Sequence, residues 1–241
     1  MRLLLDDYEM TFPDLFERFS SAILPLGSSD ATHLRFQSVA RFASARAGDA
    51  PFTVTDQDQI VFVANGSTKL VAICSQGREQ VVAFHFAGDL VSVPARKAHA
   101  YTLCALEDCE LIFFPSDEFF KLARHEAGMI DEALERTMLA LSRSREKAIS
   151  LGRKSAQERL ASFLITMAER IGKNEPDACV MELPMSRRDI ADSLGLTIET
   201  VSRQLSELRE AGLIETSGRS RMSLLDLDRL NARAGHLVPA E

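Results

Sequence analysis

Residues 182–225 read ELPMSRRDIADSLGLTIETVSRQLSELREAGLIETSGRSRMSLL, and they decide the C-terminal fold. Ser186 is followed three residues later by Asp189, a spacing close to a capping box in which the acid reaches back to the cap. A first helix is therefore expected from Arg187 to Leu194, burying Ile190, Ala191 and Leu194. Gly195 supplies the left-handed residue that ends it. Thr197 then caps a second helix to about Ala211, with Val201, Leu205 and Leu208 facing inward. Two short helices joined through a glycine turn fit a helix-turn-helix, at about 187–206, whose second helix enters the major groove of DNA.

The outward residues near the start of that second helix are Glu199, Thr200, Ser202 and Arg203. An arginine can bridge guanine O6 and N7, and a carboxylate can accept from cytosine N4. Glu199 and Arg203 stand four apart, so they are neighbours able to orient each other. Ser202 can reach a base or a phosphate. Taken alone, the pair also reads as a solvated surface salt bridge; the turn before it and the hairpin after it favour DNA contact. Downstream, Gly212-Leu213-Ile214 opens a strand, ETSGRSRM turns, and MSLL resumes apolar character. This is a wing with Arg219 and Arg221 at its tip, suited to backbone phosphates; a plain hairpin with solvated arginines is the alternative. Thr197, Thr200, Ser186 and Arg187 complete the expected DNA-contacting set.

The rest of the chain divides by hydrophobic period. From about Ala40 to Pro115, QIVFVANGST, KLVAICSQGREQ, VVAFHFAGDL and CELIFFP read as short strands. They are separated at Asn65-Gly66, Gln76-Gly77 and Gly88-Asp89, which are turn formers. Strands at this spacing imply a sandwich or jelly roll. From Ser116 to about Leu151 the period becomes helical. Ile130, Leu134, Thr137, Leu141, Ser144, Ala148 and Leu151 recur in alternating four- and three-residue steps, a coiled-coil-like seam loosened by its polar members. That seam suits a dimerisation helix; packing on the chain's own sandwich is the alternative. An amphipathic helix from Ser155 to Arg170 follows, with Leu160, Phe163, Leu164 and Met167 on one face, until Gly172 and Pro176 break it. The expected class is α+β: a β jelly-roll sensor domain over 1–115, a dimerisation helix over 116–152 and a winged helix-turn-helix over 153–241.

Composition is that of a globular protein, with 46% hydrophobic and 26% charged residues. The net charge of -7 is unevenly placed. From Leu151 onward there are 13 Lys/Arg against 14 Asp/Glu, and before it 15 against 21, so the acidity sits away from the helix-turn-helix. No apolar run reaches the roughly 20 residues that span a bilayer. The start MRLLLDDYEM lacks a signal-peptide core, so a cytoplasmic location is expected. Four cysteines do not make a disulfide scaffold. A jelly roll can also be a cupin enzyme, which needs a His-x-His pair or its equivalent. His85 and His99 offer none, and no phosphate loop or nucleophile elbow occurs, so no enzyme is expected.

These residues resemble the CRP/FNR superfamily of bacterial transcription regulators, and within it the FNR/FixK branch. The likeness spans nearly the whole chain: the strands, GRKSAQERLASFL over 152–164, and PMSRRDIADSLGLTIETVSRQLSEL over 184–208. The family's Glu-x-x-Ser-Arg on the reading helix falls on Glu199, Ser202 and Arg203. The resemblance implies a homodimer on a palindrome of the TTGAT…ATCAA type, one half-site per subunit, recruitment of RNA polymerase, and a role in low-oxygen or nitrogen-oxide metabolism. It also implies a nucleotide-binding-like sensor domain whose ligand groups are altered here. The cyclic-nucleotide cassette needs Gly-Glu and a later Arg-Ser/Thr; AGDLVSVPARKAHAYTLCALEDCEL has Gly88-Asp89 and Arg96-Lys97 instead. An iron–sulfur cluster needs four thiolates, three of them near the N-terminus, yet no cysteine precedes Cys74. The expectation is therefore no cofactor, with haem ligation through His85 or His99 as the alternative. Cys74, Cys104, Cys109 and Cys179 read as structural thiols, a redox pair at Cys104/Cys109 being the other possibility.

Overall fold

A computed structural model of the chain describes residues 10–51, 57–73, 77, 79–95 and 100–235. It divides into two compact units, one of Met1–Arg78 and Val82–Met138, the other of Glu79–Val81 and Leu139–Glu241. The division falls inside one long helix.

The first unit opens with two helices, α1 (Phe12–Ile23) and α2 (Asp30–Val39), ahead of the strands. The sequence pattern places residues 1–115 in a jelly-roll domain with strands from about Ala40 and assigns no helix ahead of them. The local cause of α1 is plain. The Asp14 carboxylate accepts from both the N–H and the hydroxyl of Thr11, at 2.9 and 2.6 Å, and Pro13 sits in the first turn, where a missing N–H does no harm. Seven strands follow: β1 (Arg41–Ala45), β2 (Gln59–Asn65), β3 (Ser67–Ile73), β4 (Glu79–Phe86), β5 (Leu90–Val93), β6 (Ala100–Ala105) and β7 (Cys109–Pro115). They form two sheets, ordered β1-β7-β2-β5 and β4-β3-β6, and the jelly-roll-like sandwich expected from the strand spacing is present.

Strand β2 is buried on both faces, and its period of two explains how. Val61 and Val63 join Leu70, Leu103 and Leu111 in the core between the sheets. Ile60, Phe62 and Ala64 point the other way, into a phenylalanine-rich core shared with α1, α2 and α3 (Ser116–Ala123). There Phe19 lies 4.9 Å from Phe114, and Phe36 meets Phe119 edge-on at 5.7 Å, geometries that add to simple burial. The β2–β3 turn requires a glycine: Gly66 has φ +76°, and a Cβ there would stand 2.5 Å from the Asp108 carbonyl oxygen.

Helix α4 (Met129–Arg153) carries the chain into the second unit. Next come α5 (Ala156–Ile171), β8 (Lys173–Glu175), β9 (Ala178–Glu182), α6 (Arg187–Leu194), α7 (Ile198–Glu210), β10 (Ile214–Ser217), β11 (Arg221–Leu224) and α8 (Leu227–Arg233). Ser155 and Glu158 cap α5 reciprocally. The break after α5 contains β8 itself and the Pro176-Asp177 turn into β9, so that the wing belongs to a four-stranded antiparallel sheet, β10-β11-β9-β8. Arg159 on α5 fixes the geometry of this unit. Its guanidinium donates to the carbonyls of Leu151 at 2.9 Å, Lys154 at 2.9 Å and Leu194 at 3.0 Å. One cation thus satisfies carbonyls at the C-terminal ends of both α4 and α6, where positive charge is favoured. Nearby, the half-buried Lys147 of α4 donates to Ser193 Oγ at 2.9 Å, and desolvation pulls its pKa down to about 8.

Candidate nucleic-acid interface

Helix α6 begins where Ser186 places its Oγ against the Asp189 N–H at 3.2 Å, while Asp189 accepts from the Ser186 N–H at 2.8 Å and from its hydroxyl at 2.6 Å. Gly195 ends it in the left-handed conformation, φ +61° and ψ +40°. Thr197 starts α7, its Oγ1 accepting from the Thr200 N–H at 3.2 Å. Ile190, Ala191 and Leu194 of α6 and Val201, Leu205 and Leu208 of α7 are buried, as their spacing required. Asp189, Ser193 and Gln204 are buried with them. Gln204 satisfies part of its amide by donating to Glu207 Oε2 at 2.9 Å.

The outward face of α7 is organised by short-range hydrogen bonds. Glu199 lies in the first turn and is exposed. Its own backbone N–H and the Thr197 hydroxyl hold its carboxyl below the usual glutamate value, so it is a fixed anion with acceptor oxygens only. Thr200 pairs its hydroxyl with that of Thr197 at 3.1 Å. Ser202 is half-buried and accepts from Arg187 Nη1 of α6 at 3.2 Å. Arg203 is exposed, and here the expectation is corrected: its ion pair is with Glu207, one turn further on, at 3.9 Å, and not with Glu199. Two carboxylates lie four residues from Arg203, and the helix start has already engaged the first of them.

The wing is the β10–β11 hairpin, paired from Ile214↔Leu224 to Ser217↔Arg221. Its two arginines differ. Arg219 is exposed in the turn. Arg221 stands in register with Glu182 of β9 and pairs with Glu175 of β8 at 3.6 Å, so it is not the free tip cation that the sequence suggested. Ser220 anchors the turn by donating to Glu182 at 2.6 Å.

On α4, the expected seam residues Ile130, Leu134, Thr137, Leu141, Ser144 and Ala148 are all exposed within this chain. Thr137 turns its hydroxyl back onto the Ala133 carbonyl at 2.7 Å. Met138, Leu139 and Ile149 are large apolar side chains that are exposed as well. Stepping in strict fours and threes from Ile130 selects Thr137 and Ser144 and passes over Met138 and Ile149. The clue to them was residue type rather than register.

Arg96, Lys97, His99, Cys74 and His236 lie outside the described residues. Gly88-Asp89 forms the β4–β5 turn, with Asp89 accepting from the Phe86 N–H at 2.9 Å and facing His85 Nδ1 at 3.8 Å. Cys109 is buried; burial first, then the neighbouring Asp108, Glu107 and Glu110 charges, push its thiol up to about 11, the reverse of what a reactive cysteine needs. Cys104 is half-buried and Cys179 buried. Among the described residues no three His, Cys, Asp or Glu side chains gather as metal ligands, and no helix is long and apolar enough to cross a membrane.

Comparison with known proteins agrees with this geometry. Residues 158–233 match the Crp-like helix-turn-helix domain, and residues 43–126 match the cyclic nucleotide-binding domain. The transcriptional activator protein FnrL of Cereibacter sphaeroides is 32% identical over 80% of this chain and 80% of its own length. The nitrogen fixation regulation protein FixK of Bradyrhizobium diazoefficiens is 32% identical over 86% of this chain and 88% of its own. Among solved structures, FixK2 from Bradyrhizobium japonicum superposes with a TM-score of 0.73 at 31% identity, covering 83% of this chain and all of that one. A β-rich nucleotide-binding-like domain, a long helix and a Crp-like helix-turn-helix, with relatives matched over most of both lengths, make the chain a member of the CRP/FNR family of transcription regulators, not of enzymes.

Proposed function

We propose that the chain acts as a homodimer that reads a TTGAT…ATCAA-type palindrome, one half-site per subunit, through Glu199, Ser202 and Arg203. The observation that carries this reading is the outward face of α7: a fixed carboxylate, a hydroxyl and a guanidinium, all within its first two turns and all on residues its core does not use. Ser186, Arg187, Thr197, Thr200 and Arg219 flank that face and suit phosphate contact, which sets position without reading sequence. Arg221 contributes less, because Glu175 already pairs with it. The apolar face of α4 supplies the dimer contact, and the two-fold arrangement spaces two reading helices about one helical turn of DNA apart. The dimer works in the cytoplasm as an activator that contacts RNA polymerase. FnrL is named as a transcriptional activator and FixK as a regulator of nitrogen fixation, which supports a role in low-oxygen or nitrogen-oxide response.

The reading includes no resident cofactor. A second reading, control by a cyclic nucleotide, draws on the domain match over residues 43–126; the substitution of Gly88-Asp89 for Gly-Glu and of Arg96-Lys97 for Arg-Ser/Thr speaks against it. One experiment separates them. Full-length protein without added ligand is titrated against TTGAT–four-base–ATCAA, a TGTGA-type palindrome and a scrambled duplex. Tight binding to the first alone is expected, and binding that needs cyclic AMP favours the second reading. Arg203→Ala is expected to cost about 1–3 kcal/mol on the specific duplex and to relax discrimination at one guanine. An equal loss on specific and scrambled DNA contradicts the assignment.

A further inference from the structure

We infer that Arg187 sets the hydrogen-bonding polarity of Ser202: by filling an acceptor position of the hydroxyl, it presents Ser202 to the major groove as a donor, selective for a base that offers an acceptor. The inference rests on α7 being the DNA-reading helix, as proposed above.

A serine hydroxyl has one proton to give and two lone pairs to receive, so by itself it distinguishes bases poorly. Helical hydroxyls commonly spend the proton on the carbonyl four residues back. Thr137 does so on Ala133 at 2.7 Å, and Thr166 on Ser162 at 3.0 Å. Ser202 does not. Its hydrogen bond is the one it accepts from Arg187 Nη1, and it makes no other among the described residues, so the proton is uncommitted on an outward-facing side chain. A guanidinium only donates. Beside it, an incoming amino group such as cytosine N4 or adenine N6 meets a cation and a partly filled oxygen, whereas thymine O4 or guanine O6 and N7 meet an available proton. Arg187 is the first residue of α6, exposed, with four further N–H groups free to reach backbone phosphate. One side chain thereby links register on the phosphate backbone to readout at one base, and Arg187 is a positioning residue for specificity.

The test uses full-length protein and a set of palindromes in which each half-site position is replaced, symmetrically, by the other three base pairs. Binding is measured for wild type, Arg187→Ala, Arg187→Lys, Ser202→Ala and the Arg187→Ala/Ser202→Ala double variant, with thermal unfolding as the check on folding. Ser202→Ala is expected to erase an acceptor-base preference at a single position. Arg187→Ala is expected to weaken all duplexes and, in addition, to reduce that same preference by about fivefold, the usual net worth of one hydrogen bond. Arg187→Lys should restore much of it, and the double variant should discriminate no less than Ser202→Ala. The inference fails if Arg187→Ala keeps the full preference, if the two effects on discrimination multiply, or if the position recognised by Ser202 prefers a base amino group. Wild-type protein that selects no half-site would overturn the DNA-reading assignment itself, and this inference with it.

Discussion

Helix α7 buries Val201, Gln204, Leu205 and Leu208 within its own unit and leaves Glu199 and Arg203 exposed and Thr200 and Ser202 half-buried. Helix α4, with 25 residues against 13, buries Met129 and leaves Ile130, Leu134, Met138, Leu141 and Ile149 exposed on one broad side, with Leu139 exposed on the other. The first face is complete in one chain. Its polar groups are held by local partners, Glu199 and Thr200 by the helix start, Ser202 by Arg187 of α6 and Arg203 by Glu207, and they can meet DNA without rearranging the core. The second face is incomplete. A helix of this length with so much apolar surface in water gains stability only when something covers it, and in the proposed dimer a second copy of the same stripe, coiled-coil fashion, would do so symmetrically. In the proposed mechanism the two helices therefore divide the work: α4 sets how many reading heads there are, and α7 sets what each one reads.

The largest effect should come from breaking the incomplete face. Leu141→Asp places a charge in the apolar stripe at a site exposed in the single chain, so the fold should survive and the dimer should not. Sedimentation should then give a monomer, and affinity for the full palindrome should fall by about 100-fold or more, the avidity of two joined half-sites being worth 10²–10⁴. A variant that remains dimeric and binds normally would move the dimer contact elsewhere.

A smaller effect separates the two wing arginines. Arg219→Ala should weaken specific and random duplexes alike and lower the salt slope by about one. Arg221→Ala should do less, because Glu175 at 3.6 Å already neutralises it. Equal losses from both would mean that this ion pair opens on DNA.

The smallest effect is one of pH. The Glu199 carboxyl is held below its ordinary value in the folded chain. For a depressed carboxyl, the favourable contribution is fully present above the unfolded value and is lost only as pH falls through the folded one. The ratio of wild-type to Glu199→Gln affinity should thus stay flat from pH 8 to about pH 5.5, well above both. A ratio that collapses near pH 6 would show that the carboxyl is raised above its ordinary value in the complex, by desolvation against DNA and by the nearby phosphates, and is no longer a fixed anion.

How legible these regions were follows from how local their causes are. Ser186 with Asp189, Gly195 and Thr197 are read within a few residues of one another, so both helices of the helix-turn-helix were bounded correctly to within a residue. Strands β2, β3, β4 and β7 were legible for the same reason, whereas the short polar β8 over Lys173–Glu175 read only as a break after the helix. The N-terminal helices were not. Thr11, Pro13 and Asp14 carry the start signal for α1, but its core partners Phe62 and Phe114 lie far along the chain; the unbroken apolar run Ile60–Ala64 says that β2 is buried on both faces, but not which element covers the second one. The Arg203 pairing was ambiguous in principle, since Glu199 and Glu207 are equally distant in sequence; the helix start decided it. The pairing of Arg221 with Glu175 was invisible, because it needs β9 and its neighbours folded between residues 46 positions apart.

The most direct test of a dimer reading one half-site per subunit is binding against half-site spacing. Full-length protein is titrated by fluorescence anisotropy against TTGAT–four-base–ATCAA, a single half-site, and a palindrome with five extra base pairs at its centre, which turns one half-site about half a helical turn away from the other. Tight binding to the first and only weak, near-equal binding to the other two is the predicted result. Equal affinity for all three would mean that each subunit binds independently, and would contradict the account.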